Sequence, residues 1–315
     1  MIPEQRETLS VGSVEMQTYK DGDNVVSVTL YRNENGLIVA FHDCFVSQFN
    51  SVNNGKAFNG LLLNVCILGS SYRSTDSYTG ERMAGCGNIT VPWTGSTKME
   101  SSNRHVVSLN VVVLMNDFKL SRFGDRTDMV IQSLVDRYSK GNIQFVMSDL
   151  SMVYCYALFR LLFECNSGDD ELIVRLVSWL LMDLYCNEQK RIVSEPHEDH
   201  TIADSIFADL LSRPMVIDRD CLEEIYSKYG VSKYKAIRLF RDRYGETPYS
   251  YFKRTRLQMA ASLILTGDTN MMNVASRVGY ASESKFAIAF KKQFGVRPKH
   301  FLAHIQESYD NLEIR

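Results

Sequence analysis

Fifteen Lys and Arg face only four Asp and Glu between Lys228 and His300, a local balance of +11 in a chain whose formal net charge is −2. Cationic side chains at that density neutralise phosphates and release their counterions, or they merely solvate a helix face. Charge alone leaves those two readings level. It does locate the question. Residues 1–200 carry 17 basic against 24 acidic side chains, and residues 201–315 carry 18 against 13, so any polyanion partner belongs to the C-terminal part.

Other reactive side chains are less productively arranged. Cys44, Cys66 and Cys86 could ligate a metal or sense oxidation, but no CxxC pair accompanies them, and they read as structural thiols. Seven cysteines, an odd number without regular spacing, do not form a disulfide framework and suggest a reducing compartment. His197-Glu198-Asp199-His200 offers two imidazoles three residues apart in a polar stretch that lacks further ligands, so no metal site is expected there. There is no Gly-rich phosphate loop and no Ser/His/Asp pattern in a recognisable context. Neither catalytic residues nor a cofactor is expected.

The basic segment repeats itself with an offset of 50 residues: Ser232 and Ser282, Phe240 and Phe290, Arg241 and Lys291, Tyr244 and Phe294, Gly245 and Gly295, Pro248 and Pro298. Each Ser suits the N-cap of the helix that follows it. Each aromatic pair is spaced i,i+4, which puts both rings on one inward face. Each Gly can take the left-handed conformation that ends a helix, and the Pro three residues later resists simple continuation. A shorter helix precedes each copy, over Leu222–Gly230 and Met271–Gly279, with Asp220 and Glu223 as a capping box for the first and Asn270 as a cap for the second. A short helix, a Gly-containing turn and a Ser-capped basic helix make the helix-turn-helix pattern, here in tandem. A single helix from about Pro248 to Thr266 joins the copies, with Pro at its first position after Thr247 and Gly267 beyond its end. It spans roughly 28 Å, which would set two reading helices about one DNA turn, roughly 34 Å, apart.

The elements before this segment are of another kind. Val25–Tyr31, Leu37–Phe41, Leu61–Leu68 and Val106–Leu114 are short runs rich in Val, Ile, Leu and Tyr. Turn-forming clusters such as Asn33-Glu34-Asn35-Gly36 and Asn53-Asn54-Gly55 separate them. Residues 1–120 therefore read as a β-rich sandwich or barrel. Helical periodicity takes over from Arg126, over Met129–Tyr138, Asp149–Cys165 (capped by Ser148 or Asp149) and Asp170–Lys190. Val193–Thr201, polar and interrupted by Pro196, reads as a linker. The apolar stretches Met152–Phe163 and Leu172–Leu184 are broken by Arg160, Arg175 and Asp183, so no membrane span is expected, nor does the N-terminus read as a signal peptide.

The segment Thr201–Ile305, about a third of the chain, resembles the DNA-binding domain of the AraC/XylS family. The resemblance is carried by Arg256-Leu257, Ala260 and Leu263 in the joining helix. It continues through Val274-Ala275, Val278-Gly279-Tyr280, Ser282, Phe286, Phe290-Lys291, Phe294-Gly295-Val296 and Pro298. It implies seven helices in two helix-turn-helix lobes, a transcription regulator, and an activator more often than not. In that family the second helix of each lobe enters the major groove. Carried over position by position, the first reader presents Tyr234, Lys235, Ile237, Arg238 and Arg241, and the second presents Glu283, Ser284, Lys285, Ala287, Ile288, Lys291 and Lys292. Arg238 is the expected base reader, because its planar fork matches guanine O6 and N7. Tyr234 and Ile237 suit thymine methyl groups. Lys233, Lys235, Arg241, Lys285, Lys291 and Lys292 suit phosphates, which position without specifying. Two positions depart from the family pattern. Ile288 stands where relatives often carry Arg or a long polar residue, which leaves the second lobe more dependent on backbone and methyl contacts. Tyr226 stands where Ala is favoured, which requires extra space or a tilt of the first reader. Phe240, Phe290, Tyr244, Phe294, Leu239 and Phe286 read as core.

Some DNA-repair methyltransferases carry a similar segment, but they need a nucleophilic Cys in a Pro-Cys-His-Arg context, and no Cys here has one. The expectation is therefore an α+β protein in two parts. Residues 1–192 form a β-rich sensing or dimerisation domain, a cupin-like barrel (1–120) plus helices (126–192). Residues 193–201 are the linker, and 202–305 an all-α DNA-binding domain with two helix-turn-helix lobes joined by a helix. Expected partners are double-stranded promoter or operator DNA, RNA polymerase, a small-molecule effector whose binding residues the sequence does not reveal, and a second copy of the chain. The helices Asp149–Cys165 and Asp170–Lys190, with Leu176, Trp179, Leu180 and Leu184, either form a dimerisation surface or cover the sheet. Action at the nucleoid in a bacterial cytoplasm, without a membrane, follows from this reading. A repressor, or a regulator that needs no ligand, fits the sequence as well as an activator does.

Overall fold

The computed structural model describes residues 5–11, 14–21, 24–34, 36–45, 60–75, 78–91, 98–100, 105–114, 124–138, 143–164, 169–187, 200–212 and 219–311. Contacts divide the chain into two compact units, Met1–Ser151 with Leu158–Pro196, and Met152–Ala157 with His197–Glu313. The chain is α+β, with all described strands in the first unit.

The strands are β1 (Gln5–Val11), β2 (Val14–Asp21), β3 (Asn24–Arg32), β4 (Leu37–Phe45), β5 (Gly60–Leu68), β6 (Ser70–Thr75), β7 (Tyr78–Met83), β8 (Cys86–Thr90), β9 (Lys98–Glu100) and β10 (His105–Leu114). After them come α1 (Asp125–Tyr138), β11 (Ile143–Val146), α2 (Asp149–Glu164) and α3 (Asp170–Cys186). Eight strands form one antiparallel sheet in the order β1-β2-β3-β4-β10-β5-β8-β11, and β7-β6-β9 form a second. β10 lies between β4 and β5, with Val111 opposite both Val39 and Leu63. Every residue of β5 but the last is buried, which is why its sequence reads as an almost unbroken apolar run rather than an alternation. On one face Val39, Phe41, Leu63, Leu109 and Val111 are buried, and Phe41 meets Phe159 of α2 edge to face at 5.1 Å. On the other face the register sets Asn110, Asn64, Asn88 and Gln144 in one cross-strand row. Asn64 donates to Asn110 and Asn88 donates to Thr90, the pairing that buried amides require. Cys66 lies opposite Cys86 on this second face.

Several boundaries move for local reasons. The strand expected over Leu37–Phe41 continues to Phe45. The helix expected over Met129–Tyr138 begins four residues earlier, where Asp128 N–H donates to the Gly124 carbonyl and Asp125 and Asp128 face the positive end of the helix dipole. That first turn is polar and invisible to apolar periodicity. The helix expected over Asp170–Lys190 ends at Cys186, with Asn187 N–H donating to the Asp183 carbonyl. Ser148, rather than Asp149, caps α2 by accepting from Ser151 N–H at 2.9 Å, and the hydroxyls of Ser148 and Ser151 both donate to Asp183 of α3. Leu176, Trp179, Leu180 and Leu184 are buried within the chain. The alternative in which they form an exposed dimerisation stripe gives way to the one in which they pack the interior.

The second unit is helical: α4 (His200–Ser212), α5 (Arg219–Lys228), α6 (Lys233–Tyr244), α7 (Pro248–Leu265), α8 (Met271–Arg277), α9 (Glu283–Phe294), a 3-10 turn (Pro298–His300) and α10 (Phe301–Asp310). Of the linker expected over Val193–Thr201, the last two residues already belong to α4 and the rest lies outside the described residues. Thirteen of the 18 residues of α7 are buried, because it packs against α4 and α6 and also against α8, α9 and α10. No described helix is long and apolar enough to cross a membrane.

Candidate nucleic-acid interface

Two helix-turn-helix lobes, α5–α6 and α8–α9, are built alike from the 50-residue repeat. Ser232 and Ser282 each accept from the backbone N–H of the third residue on, Lys235 and Lys285 respectively, at 3.3 and 3.4 Å. Gly245 and Gly295 close α6 and α9 in the left-handed conformation, φ 76° and 79°, which a side chain would strain. Asn270 caps α8 by accepting from Asn273 N–H. Thr247 caps α7, whose first residue is Pro248. Asp220, expected to cap α5, lies inside that helix, which begins at Arg219.

The inward faces are aromatic. In the first lobe Phe240 and Tyr244 meet Phe207 of α4 and Tyr251 of α7 at ring separations of 4.6–5.8 Å. In the second, Phe286, Phe290, Phe294 and Phe301 form a chain of rings 4.7–5.5 Å apart. Phe240, Phe286 and Phe290 are fully buried and Leu239 nearly so, while Tyr244 and Phe294 are half-buried, so all six serve as core. Tyr226 is buried too. The first lobe accommodates its ring, and burial with Glu223 nearby pushes its phenol up to about 12.

One feature of the first lobe was missed by the sequence reading. Arg243 of α6 and Asp204 of α4 form a two-pronged ion pair, Nε to Oδ1 at 3.1 Å and Nη2 to Oδ2 at 3.0 Å, with side chains 2% and 1% exposed. Tyr244 donates its hydroxyl to the same carboxylate, and burial together with the Asp204 charge holds that phenol well above its ordinary range. The signal was present, since Arg243 falls on the buried stripe of α6 with Ala236, Leu239 and Phe240. A charge in such a stripe requires a buried partner. In the second lobe Gln293 and Phe294 stand at the equivalent positions. There Arg256 of α7 provides the tie: it donates from Nε to the Val278 carbonyl and lies over the rings of Phe252 and Tyr280, 5.5 and 4.7 Å from their centroids.

The outward faces of α6 and α9 carry the residues expected to meet DNA. Tyr234, Lys235, Arg238 and Arg241 are exposed and Ile237 is half-exposed. On α9 Ser284, Lys285, Ile288, Lys291 and Lys292 are exposed, and Glu283 and Ala287 half-exposed. Among the described residues the side chains of Lys235, Arg238, Arg241, Lys285, Lys291 and Lys292 have no hydrogen-bond or ion-pair partner. Lys233 differs, being held by Glu223 at 3.0 Å, and Glu283 faces Lys299 at 3.7 Å, so neither is as available as its sequence position suggested. Two large side chains here, Tyr234 at 79% and Ile288 at 72% exposure, face solvent at positions where packing does not require them.

No three described His, Cys, Asp or Glu side chains converge as a metal site would need. The pair His197 and His200 lies outside the described side chains. Cys44, Cys66 and Cys86 are buried.

Residues 226–304 match the family model described as a helix-turn-helix domain. The chain is 38% identical over 80 residues to the HTH-type transcriptional regulator AlkR of Acinetobacter baylyi, a match covering 25% of this chain and 26% of that protein. It is 32% identical over 75 residues to a putative AraC-like transcription regulator of Streptomyces lividans, covering 24% of this chain and 25% of that one. A longer, weaker match, 22% over 264 residues, joins 76% of this chain to 85% of the HTH-type transcriptional regulator MtrA of Neisseria gonorrhoeae. The chain thus spans only about a quarter of the length of the first two relatives.

Proposed function

We propose, from a C-terminal segment that is an AraC-type helix-turn-helix domain, that this protein is a sequence-specific DNA-binding regulator of transcription. The observation that carries the reading is the set of exposed, unpartnered cations on the outward faces of α6 and α9, in which Lys235 and Lys285, and Arg241 and Lys291, repeat at the 50-residue offset in two lobes with apolar inward faces. Unpaired surface cations in two equivalent, rigid places suit two segments of phosphate backbone, with Arg238 directed at a guanine edge. Residues 202–305 grip DNA, residues 1–192 sense a small molecule or mediate dimerisation, and 193–201 join them. The protein binds beside a bacterial promoter in the cytoplasm and activates it by touching RNA polymerase.

Binding of the purified chain to a duplex enriched from random sequence, and to unselected duplex, across a salt series tests this. Arg238→Ala lowers affinity for the enriched duplex by about 5- to 150-fold and relaxes preference at one base pair. Lys291→Ala weakens both duplexes alike and reduces the salt slope by about one. Equal losses on both duplexes for Arg238→Ala, or no enrichment at all, refute the reading.

A further inference from the structure

The internal repeat aligns the two reading helices residue for residue. Three kinds of position then emerge. Lys235 matches Lys285 and Arg241 matches Lys291, so cations suited to phosphates stand at the same two places on both helices. Ile237 matches Ala287, half-exposed and apolar in both. Arg238, however, matches Ile288. Although Lys233 matches Glu283 and Asp242 matches Lys292, each helix keeps two exposed cations at the same two places, which gives both the same two phosphate contacts to set its register on the duplex. The residue at position 238 in one lobe and 288 in the other then faces the equivalent base pair of its own half-site. One presents a guanidinium fork and the other a sec-butyl group.

We infer that the two lobes read different chemistry at this equivalent place, guanine through Arg238 and the C5 methyl of thymine through Ile288. The inference rests on the DNA-binding reading above. Ile288 is 72% exposed on a helix that turns Phe286 and Phe290 fully, and Phe294 partly, into the core, so core packing does not account for it. An alkyl group offers no hydrogen bond, and the thymine methyl is the apolar group that the major groove presents. Ala287 beside it adds a second small apolar surface and Ser284, one turn earlier, is short enough to let the helix approach.

Removing one methyl group from the DNA isolates this contact. In the sequence enriched by the full chain, each thymine is replaced in turn by uracil, which differs only in lacking the C5 methyl. One replacement in the half-site under α9 weakens binding about fourfold, the effect of losing one buried methyl. That penalty disappears in Ile288→Ala and persists in Arg238→Ala. Guanine replaced by deazaguanine lacking N7 gives the reverse pattern, costly in the unaltered chain and silent in Arg238→Ala. Ile288→Arg shifts the preferred base pair at the sensitive position from thymine to guanine. A uracil penalty unchanged in Ile288→Ala, or no sensitive thymine in an otherwise enriched sequence, overturns the inference while leaving the DNA reading intact. Failure to enrich any sequence overturns both. Since Ile288 is exposed, these substitutions do not threaten folding.

Discussion

Replacing Asp204 by Ala removes a carboxylate that accepts from Arg243 at both oxygens and from the Tyr244 hydroxyl, at a site where both charged side chains are almost wholly excluded from water. What remains is a guanidinium excluded from water that has lost the Asp204 charge, and a phenol that has lost the Asp204 oxygen. Breaking a buried ion pair from one side costs roughly 3–5 kcal/mol, and the stranded hydroxyl lies within the same loss because the three groups act as one network. For a helical unit of this size that lowers the midpoint of its thermal transition by roughly 10–25 °C. Differential scanning calorimetry of the full chain reads it directly. The double variant Asp204→Leu with Arg243→Met removes both charges and keeps the volume, and it recovers most of the loss, since the pair's value lies mainly in not being half-broken. Gln293→Ala, at the place equivalent to Arg243 in the second lobe, changes stability by less than about 1 kcal/mol. A loss under about 1 kcal/mol for Asp204→Ala, or a double variant as unstable as the single, would refute the account of what holds α6 to α4.

Two further outcomes follow from side chains that tie the lobes internally. Arg256→Met keeps the apolar stem of the side chain but strands the Val278 carbonyl and the rings of Phe252 and Tyr280. It destabilises by about 1–3 kcal/mol, and hydrogen exchange speeds up in α8 and α9 before it does in α6. The phenols of Tyr226 and Tyr244 titrate higher in the folded chain than in the unfolded one. The folded state therefore keeps protons that the unfolded state gives up, so both contributions are full below pH 10 and are lost as pH rises through the folded value, which for Tyr226 is about 12. Chemical denaturation at stepped alkaline pH shows the decline, and Tyr226→Phe flattens its first part. An unchanged slope in that variant counts against the burial of the ring.

The sequence by itself determined the C-terminal architecture and its outward residues, because the signals there are local. Ser232, Ser282, Asn270 and Thr247 cap their own helices, Gly245 and Gly295 end theirs, and i,i+4 aromatic pairs declare which face turns inward. Once the inward face is known, Tyr234, Arg238, Ser284 and Ile288 must lie on the other, and a 50-residue repeat makes each assignment twice. Helix geometry connects neighbours three and four residues apart, so the chemistry can be read from one window of sequence. Tertiary structure decided whatever joins residues far apart in the chain. β10 pairs with β4 and β5 rather than with a sequence neighbour, and only that register sets Asn110, Asn64, Asn88 and Gln144 in one row. Asp204 finds Arg243 across 39 residues, and Arg256 finds the Val278 carbonyl across 22. The first turn of α1 and the end of α3 were settled by backbone hydrogen bonds that polar residues conceal from apolar periodicity. Leu176, Trp179, Leu180 and Leu184 had the same spacing whether they faced a partner or the interior, and only packing could tell which. Periodicity names the apolar face of an element, but what covers that face is a property of the whole fold.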